Sequence, residues 1–155
     1  MARRIVSLIA GAVISSWVLT GCMLNTPDRV VKRFIGRLRG MRWAAMAELV
    51  DWPQSSRYVP GLPASNEGDD DAKKDVMIRI AENFTGFPVG QSTPDEIRHE
   101  FLFLKLAHLK HTKESDNWAW LEIKITIDSR AKKVQILVMK VKRIWRVVLT
   151  ESIFE

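Results

Sequence analysis

Two different periodicities divide the chain. Between about residues 26 and 84, apolar residues recur at the spacing of one helix face, whereas from about residue 97 they alternate with polar residues. The first pattern predicts helices with one buried stripe, and the second predicts strands with one buried face. Because helices come first and strands follow, the order is typical of an α+β fold. We therefore expect about three N-terminal helices packed on a four-stranded antiparallel sheet.

Three helices are predicted, at about residues 26–40, 42–50 and 72–84. The stretch between the second and the third, residues 53–71, contains three prolines and two glycines. This composition predicts a loop, in which residues 57–59 could form a short strand. The buried stripe of the first helix is expected to consist of Val30, Val31, Phe34, Ile35 and Leu38.

Four strands are predicted, at residues 101–111, 118–128, 133–141 and 144–150. The first has an alternative, because residues 94–109 could also form an apolar helix. The alternation places one set of apolar side chains on the face that packs against the helices. This predicted sheet core consists of Leu102, Leu104, Leu106, Leu121, Ile123, Ile125, Val138, Trp145 and Val147.

The register of the first hairpin can be argued from charge. Pairing Lys105 with Lys124 would place like charges directly opposite each other, which is unfavourable. A shift of two residues keeps the same faces and pairs Lys105 with Glu122 instead. This register leaves residues 112–115 as a four-residue turn.

The outer face of the predicted sheet is unusually apolar. In the favoured register Leu109 lies beside Trp118, and Trp120, Phe101 and Phe103 follow on the same face. Because monomers rarely expose contiguous apolar patches of this kind, we expect an interaction face for a second copy or an envelope protein. Alternatively, the irregular stretch or the C-terminus folds over it within one chain.

The first 22 residues form a separate pattern. Arg3 and Arg4 precede an uncharged, largely apolar run over residues 5–19, which ends in Leu19-Thr20-Gly21-Cys22. This layout is typical of a secretory signal. As a helix the run would span ~22 Å, which is short of the ~30 Å hydrocarbon core of a bilayer, so a transmembrane anchor is disfavoured.

The last four residues of this pattern closely resemble the lipobox of bacterial lipoproteins, whose cysteine is acylated after cleavage. The resemblance implies a signal peptide over residues 1–21, a lipidated tether over 22–25 and a single domain over 26–155. Cys22 is the only cysteine, so the mature fold must hold without a disulfide. Met23, where an inner-membrane protein would carry Asp, favours the outer membrane if the host has one. The alternative is an ordinary secretory signal that leaves Cys22 as a free thiol.

Residues 26–150 resemble the nuclear transport factor 2-like (cystatin-like) superfamily. The segments that carry the resemblance are "TPDRVVKRFIGRLRGMRWAAMAELV" and "VMKVKRIWRVVL", in which Trp145 matches a frequent closing-strand tryptophan. The family implies a sheet curled around a cone that the helices close, a fold common among small bacterial lipoproteins of unknown function. Lys142-Arg143 departs from expectation, because so tight a hairpin turn favours glycine or asparagine.

Enzymes of this family, such as ketosteroid isomerases and polyketide cyclases, place an acid and a tyrosine in the cone. Here the candidates are Asp51 and Tyr58, and neither has a partner at a recognisable spacing. We expect Asp51 to end a helix and Tyr58 to pack in a loop. The domain is therefore expected to be non-catalytic.

Metal sites are not favoured by the ligand pattern. On one continuous strand, His99 and His111 would share a face and His108 would point away, which falls short of three converging zinc ligands. Residues 69–71 are three aspartates without the alternating spacing of a calcium loop, and they suit a helix start. We expect neither a metal nor a cofactor.

Charge indicates the kind of partner. The chain has 24 Lys and Arg against 18 Asp and Glu, and an exported protein with this mild basic excess would meet anionic lipid or cell-wall polymer rather than nucleic acid. A basic helix beside Cys22 is expected to lie close to the membrane, and the alternative is that its basic face is merely solvated. The alternative functions are a carrier or sensor of a small apolar ligand in the cone, which a side-chain-filled cone would exclude, or an isomerase-like or cyclase-like enzyme. The basic residues are Arg29, Lys32, Arg33, Arg37, Arg39 and Arg42.

Overall fold

The computed structural model describes residues 25–155, so the predicted signal peptide and Cys22 lie outside the described residues. Within this range, five helices precede four strands, which confirms the α+β class but not the number of helices. The helices are α1 (Pro27–Arg39), α2 (Trp43–Ala47), α3 (Trp52–Tyr58), α4 (Asp70–Thr85) and α5 (Pro94–Phe101). The strands are β1 (Lys105–Glu114), β2 (Trp118–Ile127), β3 (Arg130–Val141) and β4 (Ile144–Val148), and short 3-10 turns occupy Val89–Gln91 and Glu151–Ile153.

The first and longest helices follow their sequence signals. The Thr26 side chain accepts a hydrogen bond from the Arg29 backbone N–H at the start of α1, and all five predicted stripe residues are buried. Helix α4 begins at the aspartates and ends at Gly86, whose φ of 67° lies in the left-handed region that favours glycine. Helix α1 contacts β1, β3 and β4, and α2 contacts both α1 and α4.

The segment after α1 differs from the prediction. Helix α2 ends at Ala47, and Val50 then forms a parallel bridge to Val147. Residues 53–58, which were expected in a loop, belong instead to α3, and no strand forms at 57–59. The expectation was wrong because Pro53 lies in the first turn of a helix, where its missing N–H breaks no hydrogen bond.

A further helix, α5, occupies the start of the first predicted strand. Thr93 and Glu96 form a capping box, and α5 runs from there to Phe101. The helical alternative for this region was therefore correct for its first half. Strand β1 starts only at Lys105, and Leu102 is 54% exposed, so its assignment to the sheet core was wrong.

The sheet has the simple order β1-β2-β3-β4 with antiparallel neighbours. In the first hairpin Lys105 lies opposite Thr126, and Glu122 lies opposite Lys110. The predicted register was wrong because β1 continues to Glu114, which places Lys105 opposite a residue four positions further along β2 than predicted. Register shifts also lie between Leu106 and His108 and between His111 and Lys113. A bulge of this kind inserts one residue and moves every later side chain to the other face. The predicted turn at 112–115 is likewise replaced, because β1 continues to Glu114.

The β3–β4 hairpin has the expected tight turn. Val141 lies opposite Ile144, so Lys142 and Arg143 alone connect β3 to β4. Their φ angles are 50° and 68°. Two successive left-handed residues define a type I′ turn, which is usually built from asparagine and glycine.

The core fills the space between the helices and the sheet. Apart from Leu102, the predicted sheet-core residues are buried, or half-buried in the case of Leu106. Large side chains of α1, α3 and α4 meet them, including Phe34, Trp52 and Met77. Within residues 25–155, no helix has both the length and the apolar character needed to cross a membrane.

Candidate interaction surfaces

The chain enters the fold beside the β3–β4 turn. The Asn25 side-chain amide donates a hydrogen bond to the Arg143 carbonyl oxygen at 2.9 Å, and its oxygen accepts one from the Trp145 backbone N–H at 3.1 Å. The last residue of the expected tether is therefore fixed to the sheet. Only Met23 and Leu24 separate it from Cys22.

His111 joins α1 to β1 at the same end of the sheet. Its Nε2 contacts the Asp28 carboxylate, and its Nδ1 lies 2.5 Å from the Glu114 Oε2. The hydrogen bond to Asp28 raises the pKa of His111 above its ordinary value, with a smaller contribution from Glu114 that partial burial opposes. This His111 clasp therefore links the N-terminus of α1 to the edge strand, and nothing in the sequence pattern indicated it.

The remaining candidate metal ligands lie apart. His99 is on α5 and His108 is on β1, so the expected single strand through all three histidines does not exist. Residues 69–71 form the start of α4. Among residues 25–155, no group of three or more His, Cys, Asp or Glu side chains is arranged to hold a metal ion.

Most of the basic residues predicted to face a membrane are exposed. Arg29, Lys32 and Arg33 lie on the α1 surface opposite the buried stripe. Arg37 is the exception, because its guanidinium donates to the Ala45 carbonyl oxygen and lies 3.9 Å from the Glu48 carboxylate. The exposed Arg39 and Arg42 lie at and just beyond the C-terminal end of α1.

A shallow groove separates the C-terminal half of α1 from the start of β1. It has a volume of about 450 Å³, and its charged walls are Lys32, Arg39 and Lys105. Leu104 and Leu106 supply part of its apolar floor. The combination suits an anionic group attached to an apolar body, which is the chemistry of an anionic lipid.

The outer sheet face contains fewer of the predicted residues than expected. Phe101 is 1% exposed at the end of α5, and Leu109 lies opposite Ile123 and packs against the core. Phe103 is exposed but precedes β1. Of the predicted residues, only Trp118 and Trp120 therefore lie on this face. Helix α5 contains Phe101, and the register shift between Leu106 and His108 moves Leu109 to the other face.

Trp120 lies in an apolar row that crosses three strands. It is opposite Leu137, which is in turn opposite Val148. Leu137 and Val148 are buried, whereas both tryptophans remain half-exposed. Tyr58 and the C-terminal residues 150–152 line a depression of about 340 Å³ beside Trp120. The chain thus borders this row on one side and leaves the tryptophans accessible.

The two candidate catalytic residues occupy opposite ends of α3. The Asp51 carboxylate is buried, and it accepts a hydrogen bond from the Gln54 backbone N–H at 3.0 Å. Asp51 therefore begins a helix rather than ending one, and Tyr58 ends that helix with an exposed ring instead of packing in a loop. Their separation by a seven-residue helix does not bring acid and phenol together.

Comparison with known proteins supports the fold alone. No family model matches the chain. No curated protein matches it either. Among solved structures, it is similar to a cystatin-like protein from Ruminococcus gnavus ATCC 29149, with a TM-score of 0.50 and 10% sequence identity over 79% of this chain. The match covers 36% of that structure, so this chain spans about a third of its length. The cystatin-like fold is thereby confirmed, and its relation to nuclear transport factor 2-like proteins remains a prediction.

Proposed function

We propose that the protein is a lipid-anchored lipoprotein of the bacterial cell envelope, whose domain binds a partner and catalyses no reaction. The single observation that carries the proposal is the Leu19-Thr20-Gly21-Cys22 motif behind a charged start and an apolar run. The position of Asn25 supports it, since the described fold begins three residues after Cys22 and Asn25 is bonded at the edge of the sheet. Met23 favours the outer membrane of a host with two membranes.

The arrangement inside the domain supports a non-catalytic role. The buried acid, Asp51, is engaged as a helix cap, and Tyr58 is distant from it along α3. A carrier of a small apolar ligand would need room in the cone. That space holds fully buried side chains such as Phe34, Met77 and Ile80. Neither the enzyme nor the carrier is favoured by a specific contact.

The outer sheet face supports an interaction role. The half-exposed Trp118 and Trp120 provide a largely apolar surface of the kind that partners cover, whereas Leu137 and Val148 in the same row are already buried within the chain. A second copy or another envelope protein fits this chemistry. The basic surface of α1 suits anionic lipid or cell-wall polymer, and an exported domain has no access to nucleic acid.

The lipid anchor is tested by metabolic labelling of cells with an alkyne fatty acid. The wild-type chain should be labelled and should remain with the membranes after a salt wash. Cys22→Ser should remove both properties, whereas the neighbouring substitution Met23→Ala should retain them. Undiminished labelling of the Cys22→Ser protein would refute the anchor.

The interaction face is tested by photocrosslinking in native membranes. A photoreactive phenylalanine analogue at Trp120 should give an adduct, either at twice the monomer mass for a second copy or at another defined mass for an envelope protein. The same analogue at Ser129, which is exposed in the β2–β3 turn, is the control. Absence of any adduct specific to position 120 would argue against a partner at this face.

A further inference from the structure

We propose that the β3–β4 turn is a membrane-contacting tip, in which Lys142 and Arg143 bind anionic phospholipid headgroups and Ile144 enters the interface. We call these three residues the basic tip. The inference rests on the proposed lipid anchor, and it adds which surface of the domain faces the bilayer.

The proposed anchor holds the β3–β4 turn near the membrane. Asn25 binds the backbone on both sides of the turn, at the Arg143 carbonyl oxygen and the Trp145 N–H. The three residue steps from Cys22 to Asn25 span at most about 11 Å when fully extended. An acylated Cys22 therefore keeps the basic tip within a short distance of the headgroups, and no comparable constraint acts on the far end of the sheet.

The basic tip combines exposed positive charges with an exposed apolar side chain. Lys142 and Arg143 are exposed, and Ile144 is 48% exposed beside them. Two acids of the same end, Asp28 and Glu114, are engaged by His111. Lys140 adds a third cation, with its Nζ 5.8 Å from the centre of the Trp145 ring. The neighbouring β1–β2 turn contributes one opposing negative charge, Asp116. Cations beside an exposed branched apolar side chain match the layered chemistry of an anionic membrane surface.

The backbone conformation of the turn is unusual for its residue types. Both turn residues have left-handed φ angles, at positions where asparagine and glycine would be less strained. Strained residues that surroundings hold in place are frequent at functional sites. The hydrogen bonds from Asn25 hold the turn in this strained conformation. In it, the side chains of Lys142 and Arg143 are both exposed.

The main competitor is a side-on arrangement in which the α1 surface lies on the membrane. Helix α1 has 13 residues, which corresponds to roughly 20 Å, and it runs from the anchored end toward the start of β1. With the tip on the membrane, Arg39 would therefore lie well beyond the Debye length of about 8 Å. The two arrangements place different residues in contact with lipid, so they can be distinguished.

The test uses the full-length acylated protein in vesicles of phosphatidylglycerol and phosphatidylcholine. Mass spectrometry first establishes the lipid on Cys22, which makes an added cysteine the only free thiol. An environment-sensitive fluorophore is placed at Asn117→Cys, next to the tip, since the Lys140 N–H bonds to the Asn117 carbonyl oxygen. Ser129→Cys, at the other end of β2, and Arg33→Cys, on α1, are the comparison sites.

We expect spin-labelled lipid to quench the fluorophore at position 117 and to leave position 129 unaffected. Each cation near an anionic surface changes membrane partition about fivefold. Lys142→Gln with Arg143→Gln should therefore lower the ratio of molecules whose tip contacts the membrane to molecules whose tip does not about 25-fold. The matched pair Arg39→Gln with Arg42→Gln, at and just beyond the far end of α1, should change it far less in the Asn117→Cys protein.

Equal quenching at positions 117 and 129, or quenching at 33 without quenching at 117, would overturn the inference while leaving the anchor intact. An unmodified Cys22 would overturn the proposed function and this inference together.

Discussion

The first and last hairpins of the sheet, β1–β2 and β3–β4, are constructed in opposite ways. In the β3–β4 hairpin, five consecutive pairs run without a register shift, and a two-residue turn closes it. Both of its faces are buried over Leu137, Val138, Val147 and Val148. The β1–β2 hairpin has two register shifts and a longer turn, and most of edge strand β1 is exposed.

The difference shows what fixes strand register. A one-residue slip in β3–β4 would take these apolar side chains out of their buried positions on both faces of the hairpin, so the register is strongly determined. Strand β1 offers few buried side chains that a slip would expose. Its exposed residues tolerate bulges, which also discourage edge-to-edge aggregation.

The largest expected effect separates buried positions of the two hairpins. Val147→Asp places an unpaired charge at a fully buried site of β4 and should cost more than about 4 kcal/mol in the free energy of unfolding, enough to unfold the domain. Leu109→Asp, on the inner face of β1 but only half-buried, should cost much less, since its carboxylate can reach water. Circular dichroism during urea titration measures both. Equal losses would show that β1 is held as firmly as β4.

The next largest effect on the free energy of unfolding is expected at the turn of the β3–β4 hairpin. Replacing Lys142 with Asn and Arg143 with Gly relieves two left-handed φ angles, and the free energy of unfolding should rise by about 1–2 kcal/mol. Asn117→Gly in the other turn is the control, and it should give no gain because no left-handed angle is relieved there.

The same double variant sharpens the membrane inference. A more stable protein that has lost its tip contact with anionic vesicles would show that the sequence retains a strained turn for binding. A more stable protein with unchanged contact would contradict a role for the two cations.

Sequence reasoning succeeded where one face is buried over a long element. Helix α1 and strand β2 carry clear periodicities, and their faces are as predicted. The prediction failed for α3, because a proline can follow the end of one helix or stand in the first turn of the next. The Val50–Val147 bridge separates α2 from α3, so Pro53 belongs to the first turn of α3. It failed for α5 and β1, because a short apolar run suits a helix and a strand equally.

The candidate surfaces were only partly accessible to prediction. The Cys22 motif is local, and the absence of asparagine and glycine at Lys142-Arg143 marked that turn as unusual. The bond from Asn25 to Arg143 joins residues 118 positions apart, and no local pattern announces it. The outer face could not be predicted while the register of β1 was unknown.

A smaller effect depends on pH. Because the pKa of His111 is raised in the folded protein, its clasp contributes fully below the unfolded value of about 6.5, and the contribution is lost as pH rises through the folded pKa. The His111 side chain is 32% exposed, so solvent screening limits the effect to below about 1 kcal/mol. His111→Gln should remove this pH dependence of the free energy of unfolding, whereas His108→Gln on the same strand should preserve it. An unchanged profile in the His111→Gln protein would show that the clasp does not form in solution.

The smallest effect tests the corrected register directly. Lys110 and Glu122 lie opposite each other on β1 and β2, at surface positions where an ion pair is worth about 0.2–0.5 kcal/mol. A double-mutant cycle with Lys110→Ala and Glu122→Ala should give a coupling of this size that decreases with salt. The matched cycle with Lys105→Ala should give none, because Lys105 lies opposite Thr126. The cycles should be run at low ionic strength, since Lys133 also lies 3.9 Å from the Glu122 carboxylate and competes for it. Coupling of Glu122 to Lys105 but not to Lys110 would restore the bulge-free register, and with it Leu109 would return to the outer face beside Trp118.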